Sequence, residues 1–416
     1  MEILRFLTAG SVDDGKSTLM GRLLYDSNNV PLDILASIER GSVGRTDGSL
    51  DLSLLTDGLR AEREQGITID VAYKYFHTPT RKFIIADTPG HVQYTRNMVT
   101  GASNSEAVLL LVDARNGIME QTRRHSLLCQ LLGLRHFVLC VNKMDLVDYS
   151  ASRYEAICAD FRAMAARMGL ADEQLYTLPA AARTGQNVVH PAQADMPWYT
   201  GPTLLGLLEA LPVGQPRDLP MRFQVQGVIR PQSAELHDYR GYMGKVLSGS
   251  LRVGDTITAL PSYMPATITH ISLGDKQLER AIAPASVTLE LDTQIDISRG
   301  DLLAASEALP EETSLLEANL CWMDPRPLKP GTALILQHNS QRLPCKLQQI
   351  VHKVDIETQT EVPDVPQLQL NDIARVRLAL GGPVFADAYT TNPANGAFIL
   401  IEPTRNDTVA GGMVLA

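Results

Sequence analysis

The chain has 416 residues, 44% of them hydrophobic, with 47 acidic and 37 basic side chains for a formal charge of −10. That length fits two or three domains with buried cores, and no apolar run approaches the ~20 residues that cross a bilayer as a helix. The acidic balance disfavours a nucleic-acid binder, whose affinity rests on lysines and arginines neutralising phosphates.

The opening stretch MEILRFLTAG is broken by Glu2 and Arg5 and does not read as an export signal. Up to about Leu211, short apolar runs alternate with segments of helical period. ILRFLTA, KFIIAD, AVLLLVDA, HFVLCVNK and QLYTLPA are the predicted strands. Their unalternating character suits a parallel sheet covered on both faces. KSTLMGRLLYD, EQTRRHSLLCQLLGL and SRYEAICADFRAMAARMGL repeat apolar residues at three- and four-residue intervals, as helices packed on one face do. Together they predict a doubly wound, mostly parallel α/β domain over residues 1–212.

The pattern changes at Leu211–Pro220, whose sequence LPVGQPRDLP reads as a linker. Beyond it helices nearly vanish. MRFQVQGVI places Met221, Phe223, Val225 and Ile229 on one face and Arg222, Gln224 and Gln226 on the other, the period of a half-buried strand. Turn signals recur in VLSGSLRVGDTITAL and PLKPGTALIL. They predict two antiparallel β-barrels, residues 219–308 and 313–416, with one larger β domain as the alternative. The five cysteines are widely spaced, without a C-x-x-C pair, which suits buried small hydrophobes in a reducing cytoplasm.

Within the first domain, Gly10-Ser11-Val12-Asp13-Asp14-Gly15-Lys16-Ser17 fits G-x-x-x-x-G-K-[ST] between a predicted strand and a predicted helix, a phosphate-binding loop. Backbone N–H groups from Gly10 through Thr18, the positive end of the helix and Lys16 hold the phosphates, so Asp13 and Asp14 are expected to turn outward. The Ser17 hydroxyl is expected on a magnesium ion. Thr68, in REQGITID, is the second expected magnesium hydroxyl, on a loop that orders with the γ-phosphate. Asp87-Thr88-Pro89-Gly90 closes the strand KFIIAD, with Asp87 reaching the metal through water and Gly90 allowing close approach of the backbone to the γ-phosphate. His91 follows where a water-positioning group belongs, which makes His91, Lys16 and Thr68 the catalytic candidates. Histidines 125, 190 and 352 have no partners at meaningful spacing and read as structural.

Asn142-Lys143-Met144-Asp145 ends the strand HFVLCVNK. The Asp145 carboxylate can accept from guanine N1–H and the exocyclic amino group, whereas adenine offers an acceptor at N1 and no amino group at C2. At roughly 1.5–3 kcal/mol per charge-assisted bond, the preference for GTP over ATP is about a hundredfold to ten-thousandfold. Lys143 is expected over the base, and Asn142 is expected to tie this loop to the phosphate loop.

GSVDDGKSTL, LLTDGLRAEREQGITIDVAY, DTPGHVQYTRNMVTGAS and NKMDLVDY resemble the translation-factor class of GTPases. MPWYTGPTLLGLLEALPV, RGYMGKVLSGSLRVGD, VDIETQTE and TNPANGAFILIEPTRNDTVAGGMV narrow the likeness to the GTPase subunit of bacterial sulfate adenylyltransferase, across essentially the whole chain. That resemblance implies a cytoplasmic GTPase with GTP and Mg²⁺ as cofactors. It further implies a smaller catalytic partner subunit that joins ATP and sulfate; the acidic balance and the lack of a membrane segment argue against nucleic-acid or membrane partners, and with no second phosphate loop in the sequence adenylylsulfate kinase activity is not expected. A tRNA-carrying or ribosome-binding factor is the alternative. Three motifs depart from the family. The usual S-A-L appears as Ala181-Ala182-Arg183, with the Ala182 amide still expected at guanine O6. Val92 stands in place of glutamate, and GQNV replaces G-D-N-V.

Overall fold

The computed structural model describes residues 2–30, 52–55, 68, 70–91, 94–214, 218–231 and 239–415. Val92, residues 215–217 of the predicted linker and most of the segment around Thr68 lie outside them. The chain divides into two compact units, residues 1–214 with 355–360 and residues 215–354 with 361–416.

The first unit is built on a six-stranded sheet: β1 (Ile3–Gly10), β2 (Ala72–His77), β3 (Lys82–Asp87), β4 (Ala107–Asp113), β5 (His136–Asn142) and β6 (Leu175–Pro179), in the order β2-β3-β1-β4-β5-β6. All neighbours run parallel except β2, which pairs antiparallel with β3. Every residue of β4 and β5 is buried, which is why their sequences show no polar alternation. Edge strand β2, AYKYFH, alternates instead, with Tyr73 and Tyr75 exposed, and is not among the predicted strands.

Among the described residues the unit's α-helices are α1 (Lys16–Asp26), α2 (Thr95–Ala102), α3 (Glu120–Leu131), α4 (Ala151–Arg167) and α5 (Leu204–Ala210). Helix α1 buries Leu19, Met20, Leu23 and Leu24, the stripe its spacing announced. Ser150 caps α4 by accepting from the Arg153 amide at 3.3 Å, and Thr203 caps α5 by accepting from the Gly206 amide at 3.1 Å. Helices α2 and α5, of 8 and 7 residues, are too short for their period to stand out in the sequence.

The second unit holds two closed antiparallel barrels. The first comprises β7 (Arg222–Ile229), β8 (Gly241–Ser248), β9 (Ser250–Arg252), β10 (Thr256–Leu260), β11 (Met264–Leu273), β12 (Lys276–Leu278), β13 (Arg280–Ile282), β14 (Ser286–Leu291) and β15 (Leu302–Ala305). The ring β10-β15-β7-β8-β14-β11 closes through the pairing of β11 with β10. The second comprises β16 (Glu311–Trp322), β17 (Ala333–His338), β18 (Gln341–Val354), β19 (Glu361–Pro363), β20 (Ile373–Ala386), β21 (Ala397–Glu402) and β22 (Asp407–Val414), closed as β17-β21-β22-β16-β20-β18 by the pairing of β18 with β17. Each barrel has its own apolar core, and the two lie within one compact unit.

Strand β7 departs from its expected pattern. Arg222 and Gln224, expected on the polar face, are 2% and 3% exposed. Register shifts after Arg222 and Val225 break the simple alternation. The Arg222 guanidinium leaves the first barrel to meet Asp387 of the second, with Nε 3.1 Å from Oδ2 and Nη2 2.9 Å from Oδ1. Its Nη1 donates to the Ala308 carbonyl at 2.7 Å, while Asn392 and Asn395 donate to Asp387 Oδ2 at 2.8 and 3.0 Å. A charge this thoroughly desolvated is tolerated only with its partner present. Asp387→Ala should therefore lower stability by about 3–5 kcal/mol, whereas the double variant Arg222→Met with Asp387→Leu should cost far less. Urea unfolding of the full chain measures both.

Candidate nucleotide site

The parallel register decides where the chemistry collects. Thr8 of β1 lies opposite Asp87 of β3, Gly10 opposite Leu111 of β4, and Asp113 opposite Asn142 of β5. The polar ends of four strands thus share the carboxyl edge of the sheet, where open α/β folds bind ligands.

The loop from Gly10 to Gly15 leaves β1 and enters α1. Gly15, at the N-cap of α1, takes a left-handed conformation with φ 93°, and a Cβ there would fall 2.5 Å from Asn142 Nδ2. Asp13 is also left-handed, at φ 67°, and is exposed. Asp14 does not turn outward as expected. It is 3% exposed, and its Oδ2 accepts from the Ser11 amide at 2.6 Å. The carboxylate satisfies an N–H that the loop would otherwise bury without a partner, which is why it points inward.

Lys16 is 7% exposed, and its Nζ donates to the Gly10 carbonyl at 3.2 Å and the Ser11 carbonyl at 2.7 Å. Burial pushes its pKa down, opposed by the charges of Asp14, Asp87 and Asp13. Asp87 is 1% exposed and accepts from the Thr8 hydroxyl at 3.0 Å, while the Thr88 hydroxyl donates to the Thr8 carbonyl at 2.5 Å. A Cβ on Gly90 would meet Lys16 Nζ and lie 2.8 Å from the Gly10 carbonyl oxygen, so only glycine fits this close approach. Ser17 is half-buried at the start of α1, and its hydroxyl and the buried Asp87 carboxylate are oxygen donors of the type a hard divalent cation takes. Thr68 is half-buried, flanked by residues outside the described set. His91 is exposed, its ring edge-on to Tyr94 at 6.1 Å between centroids.

The segment Asn142–Asp145 is tied to this loop by the side chains of Asn142 and Lys143. Asn142 Nδ2 donates to the Asp14 carbonyl at 2.8 Å, and its Oδ1 accepts from the Ala182 amide at 3.0 Å. The Ala182 N–H expected at guanine O6 is therefore engaged with Asn142. Ala181, also fully buried, pairs with Gln186 across an isolated bridge. Lys143 is left-handed, at φ 61°, with its ammonium on the Asp13 carbonyl and 3.0 Å from Asp113 Oδ2. Met144 is buried beneath the 3₁₀ turn Met144–Val147, and Asp145 is half-buried on it.

Two residues here escaped the sequence reading. Asp113 is 2% exposed, and Arg115 reaches it through Nε at 3.0 Å and Nη2 at 2.6 Å. Burial alone would raise its pKa, but the hydrogen bonds from Arg115 and Lys143 hold the carboxyl well below the usual range. It closes its strand as Asp87 does, and that shared position was the available signal. Gln121 of α3 donates from Nε2 to the Gly90 carbonyl at 3.4 Å and is held in turn by Arg124. His125, read as structural, is fully buried one turn along, with Nε2 3.4 Å from Gln121 Nε2. Burial, reinforced by Lys16 and Arg124, pulls its pKa down to about 3, so it is neutral at physiological pH.

The sequence matches the elongation factor Tu GTP binding domain over residues 1–269 and the GTP-eEF1A C-terminal domain-like family over residues 315–415. It is 47% identical to sulfate adenylyltransferase subunit 1 of Colwellia psychrerythraea, covering 99% of this chain and 88% of that one. It is 48% identical to the bifunctional enzyme CysN/CysC of Rhodopirellula baltica, covering all of this chain and 64% of that one. The chain thus spans about two thirds of the length of this longer relative. Among solved structures, the GTPase-like domain of Saccharomyces cerevisiae Ski7 bound to GTP aligns with a TM-score of 0.54 at 18% identity, over all of this chain and 97% of that one, a likeness of fold alone. The chain belongs to the sulfate adenylyltransferase subunit 1 family, within the elongation factor Tu class of GTP-binding proteins.

Proposed function

We propose that this chain is the GTP-hydrolysing regulatory subunit of a sulfate adenylyltransferase. It couples GTP hydrolysis to the formation of adenosine 5′-phosphosulfate and pyrophosphate from ATP and sulfate on a smaller catalytic partner chain, in the cytoplasm. The observation that carries this reading is the 47% identity to a subunit 1 relative over 99% of the chain, which runs through both barrels as well as the nucleotide site. Among the described residues no helix is long and apolar enough to cross a membrane. In this reading residues 1–212 form the GTPase domain, and residues 219–308 and 313–416 are the two barrels that carry its state to the partner.

In the proposed mechanism the amides of residues 10–18 and the Lys16 ammonium hold the phosphates, with Thr88 and Pro89 setting the approach of Gly90 to the γ-phosphate. Magnesium, held by Ser17, Thr68 and, through water, Asp87, would neutralise charge on the β- and γ-phosphates. Asp145 accepts from two guanine N–H groups, while Lys143 covers the base and Asn142 and Met144 fix the loop. His91 swings from its exposed position to orient the attacking water. Hydrolysis removes the γ-phosphate from Thr68 and Gly90, and that loss changes the surface offered to the partner.

Copurification from the host followed by an assay of sulfate-dependent pyrophosphate release from ATP tests the reading. GTP should stimulate release, and indifference to GTP would overturn it. His91→Ala should slow GTP turnover by roughly 10²-fold or more with nucleotide affinity nearly unchanged, as followed by phosphate release and equilibrium titration. Asp145→Asn should weaken GTP binding by about a hundredfold to ten-thousandfold and admit xanthine nucleotides, since an amide donates where the carboxylate accepted. Competition titrations with the two nucleotides read this exchange directly.

A further inference from the structure

The function just proposed makes no use of a carboxylate inside the phosphate loop, yet Asp14 is as thoroughly buried as the lysine beside it, at 3% exposure against 7%. The two side chains clasp the same dipeptide. Lys16 takes the carbonyls of Gly10 and Ser11, and Asp14 takes the Ser11 amide at 2.6 Å. The Asp14 carbonyl is in turn the acceptor for Asn142, so residue 14 joins the phosphate loop to the base-reading loop through its backbone and braces the loop through its side chain.

A buried ammonium without counter-charge is costly. The carboxylates that offset the burial of Lys16 are Asp14 first, then Asp87 and Asp13. The relation is reciprocal, since burial raises the pKa of Asp14 and the Lys16 charge is the largest influence opposing that rise. An arriving polyphosphate changes the balance. It takes over the Lys16 ammonium and brings further negative charge to a cradle that already holds the Asp14 carboxylate. A group that stabilises the empty protein and opposes the loaded one lowers affinity by that difference.

We infer that Asp14 is a positioning residue with a second role: its charge compensates Lys16 in the empty site and thereby speeds release of guanine nucleotide. This inference rests on the nucleotide-site reading above and deepens it by assigning the release rate to one side chain. Asp14→Asn separates the two roles, because the amide oxygen still accepts from Ser11 while the charge is gone.

With the full chain stripped of nucleotide, stopped-flow dissociation of a fluorescent GDP analogue should slow roughly tenfold in Asp14→Asn, with an equal fall in Kd. Release that is unchanged or faster, from a variant whose wild-type parent binds GDP, overturns the inference alone. A wild-type chain that binds no GDP overturns the nucleotide-site reading, and the inference with it. A second measurement needs no nucleotide. Asp14→Asn should lower the melting temperature of the empty chain, and should fail to lower it in a Lys16→Met background, where no ammonium remains to be compensated. Additive shifts in that double-mutant cycle would show that the two charges are uncoupled and would overturn the inference as well.

Discussion

The site depends on the side-chain amide of Asn142. It is 1% exposed at the end of β5, and it spans two loops that share no sequence proximity, reaching Asp14 O at 2.8 Å and Ala182 N at 3.0 Å. An amide is suited to this place because it donates and accepts at once. A carboxylate could not satisfy the Asp14 carbonyl, and an ammonium could not satisfy the Ala182 amide. With Asn142 fixed, Lys143 follows in a left-handed conformation and Asp145 lies on the 3₁₀ turn behind it, so the position of Asp145 is set relative to the loop from Gly10 to Gly15. The Cβ that Gly15 lacks would strike this same amide, which is why the loop closes with glycine at that point.

Around that anchor the site is organised by buried charge. Asp14, Asp87 and Asp113 are all under 4% exposed, and all lie near Lys16 or Lys143. A binding site for a polyanion lined with carboxylates is a contradiction only if each acid is counted as a phosphate contact. Each instead meets a local need, since Asp14 braces Ser11, Asp87 accepts from Thr8, and Asp113 seats Lys143. Around Lys16, burial pushes the ammonium pKa down, and the charges of Asp14, Asp87 and Asp13 oppose that push. On the inference above, the Asp14 charge that offsets Lys16 in the empty cradle also limits how tightly the cradle closes on its ligand.

The second unit applies the same rule at a different place. Arg222 and Asp387 come from different barrels, and the carbonyls of Met221 and Ala308 and the side-chain amides of Asn392 and Asn395 add to their hydrogen bonding. Alongside them lies a small apolar contact of Leu260, Leu302, Ala304 and Phe385, drawn from both barrels. Apolar contact is tolerant of sliding, whereas a bidentate guanidinium–carboxylate pair fixes orientation. The barrels are thus joined at a defined angle rather than tethered, a property useful in a part that transmits the state of a nucleotide.

Much of this was legible in the sequence because it is local. The five parallel strands of the first unit, its three longer helices, the phosphate loop, Asp87 to Gly90 and Asn142 to Asp145 all declare themselves through runs, periods and spacing. These are properties a chain carries before it folds. Edge strand β2 and helices α2 and α5 were missed because they are short and half-exposed, so no strong period marks them. The inward turn of Asp14, the burial of Arg222 and Gln224, the roles of Asp113 and Gln121, and the capture of the Ala182 amide by Asn142 belong to the tertiary structure alone. Each depends on a partner between 2 and 165 residues away whose approach is fixed by strand register and packing. Residue type prescribes what a polar group needs, and only the assembled fold decides which neighbour supplies it.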